Sequence, residues 1–116
     1  MFLDDVRNHC LRKIGVTEGF PFDQKTLVFK VFGKMFALMD VDVFDSLNLK
    51  CEPEKALELR ETFQGVQPGY HMNKKHWNTV FLNEDVSDML VIELIDHSYD
   101  LVYASLPKKL RDENPI

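Results

Sequence analysis

The sequence predicts an α+β domain: one antiparallel β-sheet flanked by helices. Two observations carry this. Short runs of β-forming residues follow one another with tight turns between them, which suits antiparallel pairing. A long segment near the C-terminus carries an apolar stripe at helical spacing, as a helix packed across a sheet does. At 116 residues the chain fits a single domain, 1–116.

The first element is a helix over residues 2–13. Leu3, Val6, Cys10 and Ile14 recur at helical spacing, with Asp4 and Asp5 in the first turn and Arg12 and Lys13 in the last. Gly15 closes it. From Thr26 the period changes to two. Leu27–Val31 and Lys34–Met39 flank Phe32-Gly33, a hairpin signal because glycine readily supplies positive φ. Phe20-Pro21-Phe22 is expected as an extra edge segment. Ser46–Lys50 alternates strictly, with Leu47 and Leu49 inward and Asn48 and Lys50 outward. Pro53 to Phe63 reads as a helix with a first-turn proline, stopped by Gly65. After a Pro68-Gly69 turn, Trp77–Leu82 is a further strand. Trp77 shares a face with Thr79 and Phe81, and is expected in the core. The last helix spans Val86–Ser105, with Leu94, Ile95, Leu101 and Val102 buried and His97 on the exposed side. Pro107 ends or bends it, and Asp112–Ile116 is expected to be the least ordered stretch.

Composition narrows the function. With 45% apolar and 28% charged residues there is material for a real core, and no run approaches the roughly 20 apolar residues of a membrane span. The acidic opening Met1-Phe2-Leu3-Asp4-Asp5 is unlike a signal peptide, so the expected setting is the cytoplasm, with no membrane partner. Cys10 and Cys51 belong to no ligand motif and read as reduced thiols, buried or half-buried. No metal and no cofactor is expected. Asp40, Asp42 and Asp45 lack the glycine and terminal glutamate of a calcium loop. No catalytic signature is present, so the chain is read as non-enzymatic. Net charge is −5, but six acids and no Lys or Arg lie between Asn83 and Pro107, which leaves the rest close to neutral.

The most informative stretch is Gly69–Asn78. No acid occurs from Gln64 to Leu82, and basic, amide and aromatic side chains interleave there. Lys and His meet phosphate, Asn pairs with base edges, and aromatic rings stack. The candidate nucleic-acid contacts are Tyr70, His71, Asn73, Lys74, Lys75, His76 and Asn78, extended by Lys34 and Lys50. The same residues also fit a solvated turn.

Leu49–Pro53, Pro68–Val80 and Ser98–Val102, together with Phe29–Val31, Lys34–Leu38 and Ser105–Lys109, resemble the MmcQ/YjbR family of small bacterial proteins. The resemblance covers almost the whole chain. It implies an antiparallel sheet flanked by helices, of secretion-chaperone-like shape, and DNA binding through a "double wing". Phe32 departs from the pattern, since a small or polar residue is expected at that turn; its ring is either tucked under the hairpin or an exposed tip. The leading expectation is a DNA-binding domain, monomeric, with largely electrostatic contacts. Alternatives are a protein-interaction or chaperone-like module, with another protein as partner, and a small-anion or metabolite pocket built from Tyr70, His71 and Asn73.

Overall fold

The structure is a computed structural model describing residues 1–116. Helix α1 (Leu3–Leu11) leads into strands β1 (Val16–Gly19), β2 (Thr26–Val31), β3 (Lys34–Asp40) and β4 (Ser46–Lys50). Then come α2 (Pro53–Thr62), β5 (Val66–Pro68), β6 (Trp77–Phe81), α3 (Asp88–Ala104) and α4 (Lys108–Glu113). The strands form one sheet in the order β1-β2-β3-β4-β6-β5, and every pairing is antiparallel. No helix is long and apolar enough to cross a membrane.

Local chemistry explains the elements. The β2–β3 turn uses Phe32 at φ 45° and Gly33 at φ 88°, the double positive φ of a two-residue hairpin turn whose twist matches its strands. In α2 the Glu52 carboxylate accepts the Glu54 and Lys55 amides, ahead of Pro53. Ser87 caps α3 by accepting from the Leu90 amide.

The helices cover one face of the sheet. Leu27, Phe29 and Val31 of β2, Leu47 and Leu49 of β4, and Val80 of β6 meet Val91, Leu94, Ile95 and Val102 of α3 in a single buried cluster. β3 carries a bulge: Phe29 pairs with Ala37 and Lys30 with Met35, so Phe36 stands opposite no residue of β2. Ser98, fully buried in α3, resolves the disruption. Its hydroxyl donates to the Phe36 carbonyl at 2.5 Å and accepts from the Lys50 amide at 2.9 Å, tying the helix to β3 and β4.

Several expectations change. The first edge strand is Val16–Gly19 rather than Phe20–Phe22, and β5 was not anticipated. Leu101 is only half-buried, at the margin of the α3 stripe, and Ile14 is exposed because α1 ends at Leu11 and Ile14 falls in the turn beyond it. His97 is half-buried, its Nε2 accepting from the Glu52 amide at 3.1 Å. The C-terminal segment is tied down: the Tyr103 hydroxyl bonds the carbonyls of Arg111 and Asn114.

Candidate functional site

Period-2 alternation leaves the second face of the sheet free of helices. Its residues are Thr26, Val28 and Lys30 of β2, Met35 and Leu38 of β3, Ser46, Asn48 and Lys50 of β4, and Trp77, Thr79 and Phe81 of β6, as the register pairs them. Trp77 is therefore not in the core. It is half-buried beside its register partner Lys50, while Val80 faces α3. Alternation says which residues share a face; here the face packed by the helices is the other one.

Loops, not helices, shield this second face. Val28 and Leu38 are buried, at 1% and 5% exposure, yet stand outside the helix-side cluster. Around Leu38 lies a cavity of about 720 Å³, within the size range of small-molecule sites. Met35, Leu38, Asn48, Thr79 and Phe81 form its floor. Phe22 and Asp23 precede β2, Val43 and Asp45 follow β3, and Tyr70, His71 and Met72 follow β5; together they form its rim. Phe22, Val43 and Tyr70 are 64%, 62% and 69% exposed, a cluster of open apolar side chains around a concavity.

A polar relay crosses the floor. The Thr79 hydroxyl accepts from the Tyr70 amide at 3.0 Å. Its own proton then goes to Asn48 Oδ1 at 2.5 Å, which fixes the Asn48 amide so that Nδ2 remains as a donor. Two carboxylates hold the rim loops. Asp23 accepts from the amides of Thr26 and Lys25 at 2.6 and 2.8 Å; these bonds, Thr26 first, keep it below the usual carboxylate range. Asp40 Oδ1 accepts from the amides of Asp42 and Val43. No three His, Cys, Asp or Glu side chains converge in metal-holding geometry.

The residues singled out from sequence divide. Tyr70 and His71 stand on the rim, their rings 4.0 Å apart, with His71 at φ 60°. Asn73 turns away, its Oδ1 accepting from the Lys75 amide. Lys74 donates to the Gly69 carbonyl at 2.9 Å. Lys75 is exposed, and His76 is half-buried with its carbonyl bound by the Cys51 amide. Asn78 is 2% exposed on the helix side, held by Arg60, so it is out of reach of a strand lying on the surface. Lys34 donates to the Ser105 carbonyl at 3.3 Å. Lys50 lies on the open face.

Arg60 went unnoticed in the sequence. From α2 its guanidinium donates to Asn78 Oδ1 at 2.7 Å, to the Lys74 carbonyl, and to the Trp77 carbonyl at 3.3 Å. It thereby clamps the loop that presents Tyr70–Met72. Phe22, Asp40 and Asp45 were likewise missed as partners of that loop, since only the folded sheet brings the three loops together.

The family model described as YjbR matches residues 11–101, which include the whole cavity. The chain belongs to the YjbR family. Among its relatives, the Escherichia coli O157:H7 protein YbdF is 40% identical over 91 residues, covering 78% of this chain and 75% of that one. The YjbR protein of Escherichia coli K12 is 32% identical, covering 96% and 95%. The crystal structure of the Deinococcus radiodurans protein DR2400, a DUF419 domain, superposes with a TM-score of 0.90 at 44% identity, covering 96% of this chain and 86% of that one. A Pseudomonas syringae protein superposes at 0.74 and 27% identity, covering 88% and 99%. The six-stranded sheet is thus a YjbR-family fold.

Proposed function

We propose that this YjbR-family domain is a non-catalytic binding protein that seats a small molecule with an apolar or aromatic body on the open face of its sheet. The observation that carries the reading is the cavity of about 720 Å³ floored by Met35, Leu38 and Phe81, with exposed Phe22 and Tyr70 at its mouth. Burying such rings against a ligand removes apolar surface from water, and the Asn48 amide offers one orienting donor. The non-catalytic part rests on the engaged state of the chemical groups. Both thiols are buried, and Asp23 already spends both carboxylate oxygens on Lys25 and Thr26.

The test is a fluorescence titration with the neutral apolar dye N-phenyl-1-naphthylamine. Wild-type protein is expected to enhance its emission saturably. Met35→Trp, which fills the floor, and Tyr70→Ala, which strips the rim, should both weaken binding. Equal binding by wild type and Met35→Trp rejects the reading.

A second reading, DNA binding, is supported by two register pairs. Lys50 pairs with Trp77, and Lys30 with Met35, on the same open face, while Lys75 is exposed at the adjoining turn. With Lys74 and Lys34 already bonded to carbonyls, about three or four phosphate contacts are available, so log affinity should fall against log salt with a slope of about −3 to −3.5. The check is a titration of duplex and single-stranded DNA, starting near ~50 mM salt. No binding there, or unchanged binding by a Lys50→Ala, Lys75→Ala double variant, removes this reading.

A further inference from the structure

We propose that the ligand of the open-face cavity is an organic cation, an ammonium or amidinium group carried on an aromatic or branched apolar body; this deepens the cavity reading and rests on it. The sign of the site carries the argument. The lining holds three carboxylates, Asp23, Asp40 and Asp45, and neither Lys nor Arg. His71 on the rim is the only lining side chain able to become positive. Among neighbouring cations, Lys74 is directed to the Gly69 carbonyl, Lys34 to the Ser105 carbonyl and Lys25 towards Asp42 at 4.0 Å, while Lys30 and Lys50 share the open face but stand outside the lining. A carboxylate or phosphate ligand would enter a field of its own sign.

The carboxylates are not equivalent. Asp23 accepts three hydrogen bonds from Lys25 and Thr26, so it contributes field rather than a contact. Asp40 uses only Oδ1 for its turn, leaving Oδ2 as an acceptor. Asp45 makes no side-chain hydrogen bond to the loop it ends, and lines the same cavity. In the same lining, Phe22, Tyr70 and Phe81 supply π faces and Met35 and Met72 supply polarisable sulfur. That pairing of aromatic faces with carboxylate recognises a diffuse organic cation. It does not suit a metal ion, which demands converging ligands at fixed short distances. The fixed Nδ2 of Asn48 then meets an acceptor atom on the ligand body.

The experiment is a ¹H–¹⁵N NMR titration near neutral pH with three probes of one shape: 2-phenylethylammonium, 2-phenylethanol and 3-phenylpropionate. The expected order is cation, neutral, anion. The cation should bind about tenfold tighter than the alcohol, the combined effect of a cation–π contact and a partly solvated ion pair. An Asp40→Asn, Asp45→Asn variant should lose that preference and bind the alcohol unchanged; asparagine keeps the Oδ1 acceptor that the Asp40 turn needs. Asp45→Asn alone, outside that turn, should lose part of the preference. If the alcohol binds as tightly as the cation, or the anion binds best, the cation assignment falls while the cavity reading stands. If no probe shifts Leu38, Asn48 or Thr79, both fall.

Discussion

The ring of Phe32 lies on the bare backbone of Gly15. A Cβ added to Gly15 would stand 2.3 Å from Phe32 Cε2, and the Phe32 amide donates to the Gly15 carbonyl at 3.0 Å. The departure at the hairpin turn is thus a tucked ring, not an exposed tip. A bulky residue at positive φ is strained, and its packing on the α1–β1 connection offsets that strain.

This contact separates two glycines that look alike in sequence. Gly15 has φ +77° and a crowded surface; Gly33 has φ +88° and open space. Gly15→Ala is expected to cost about 2–4 kcal/mol, left-handed strain plus overpacking, and Gly33→Ala about 1 kcal/mol from strain alone. Urea denaturation of the two variants checks this; equal losses would contradict it.

Ser98 supports a bulge rather than a ligand. Ser98→Ala leaves both the Phe36 carbonyl and the Lys50 amide without their hydroxyl partner. The expected loss is about 2–4 kcal/mol, with faster hydrogen exchange at the Lys50 amide. A loss within ordinary surface values of about 0.5 kcal/mol would show that those groups are satisfied otherwise.

His97 makes stability fall on mild acidification. Burial holds its pKa below the ordinary value of 6.5, and nearby Lys55 adds to the shift against the weaker opposite pull of Asp100 and Glu52. Its Nε2 accepts from the Glu52 amide, so the folded state keeps it neutral. Its contribution is complete above 6.5. As pH falls below that value the unfolded chain takes a proton that the folded chain refuses, and stability declines until the folded pKa is passed. Carboxylates held low, such as Asp85 and Asp23, lose theirs only further down. His97→Gln, an acceptor that does not titrate, should lose less stability than wild type between about pH 7 and pH 5. Parallel urea melts read the difference, and identical pH profiles would exclude the role.

Arg60 should govern the Tyr70–Met72 loop from outside the cavity. Arg60→Lys keeps the charge but not the planar set of donors that reaches Asn78, Lys74 and Trp77. Amides between Tyr70 and Trp77 should exchange faster, and affinity for N-phenyl-1-naphthylamine should fall by about three- to tenfold. The fold of α3 and β2 should be undisturbed. Unchanged exchange in the loop would refute the clamp.

Four strands were readable because each carries its own alternation: β2, β3, β4 and β6 lie within one or two residues of the expected limits. The two edge strands were not. β1 has four residues and β5 three, ending at Pro68, and such short edges are defined by the neighbour they pair with. Tyr70 and His71 stood out for composition, and they do border the cavity. Its other walls come from Phe22 and Asp45, far away in sequence, and no local pattern announces a contact made only when a sheet closes. Trp77 failed for a related reason. A large ring suggests the core, yet the covered face belongs to Val80 and buried Asn78, as the position of α3 decides.

Because helices α1, α2 and α3 occupy one side of the sheet, the layer that holds the molecule together is separate from the layer that carries the cavity. Phe29, Leu47 and Ile95 hold the molecule together, while Phe22, Val43 and Tyr70 belong to connecting segments on the far side. On the proposed reading, substitutions in those segments change what is bound without loosening what folds. A lineage built this way can vary a handful of loop residues and keep its scaffold, as the Deinococcus radiodurans relative at 44% identity keeps the same fold.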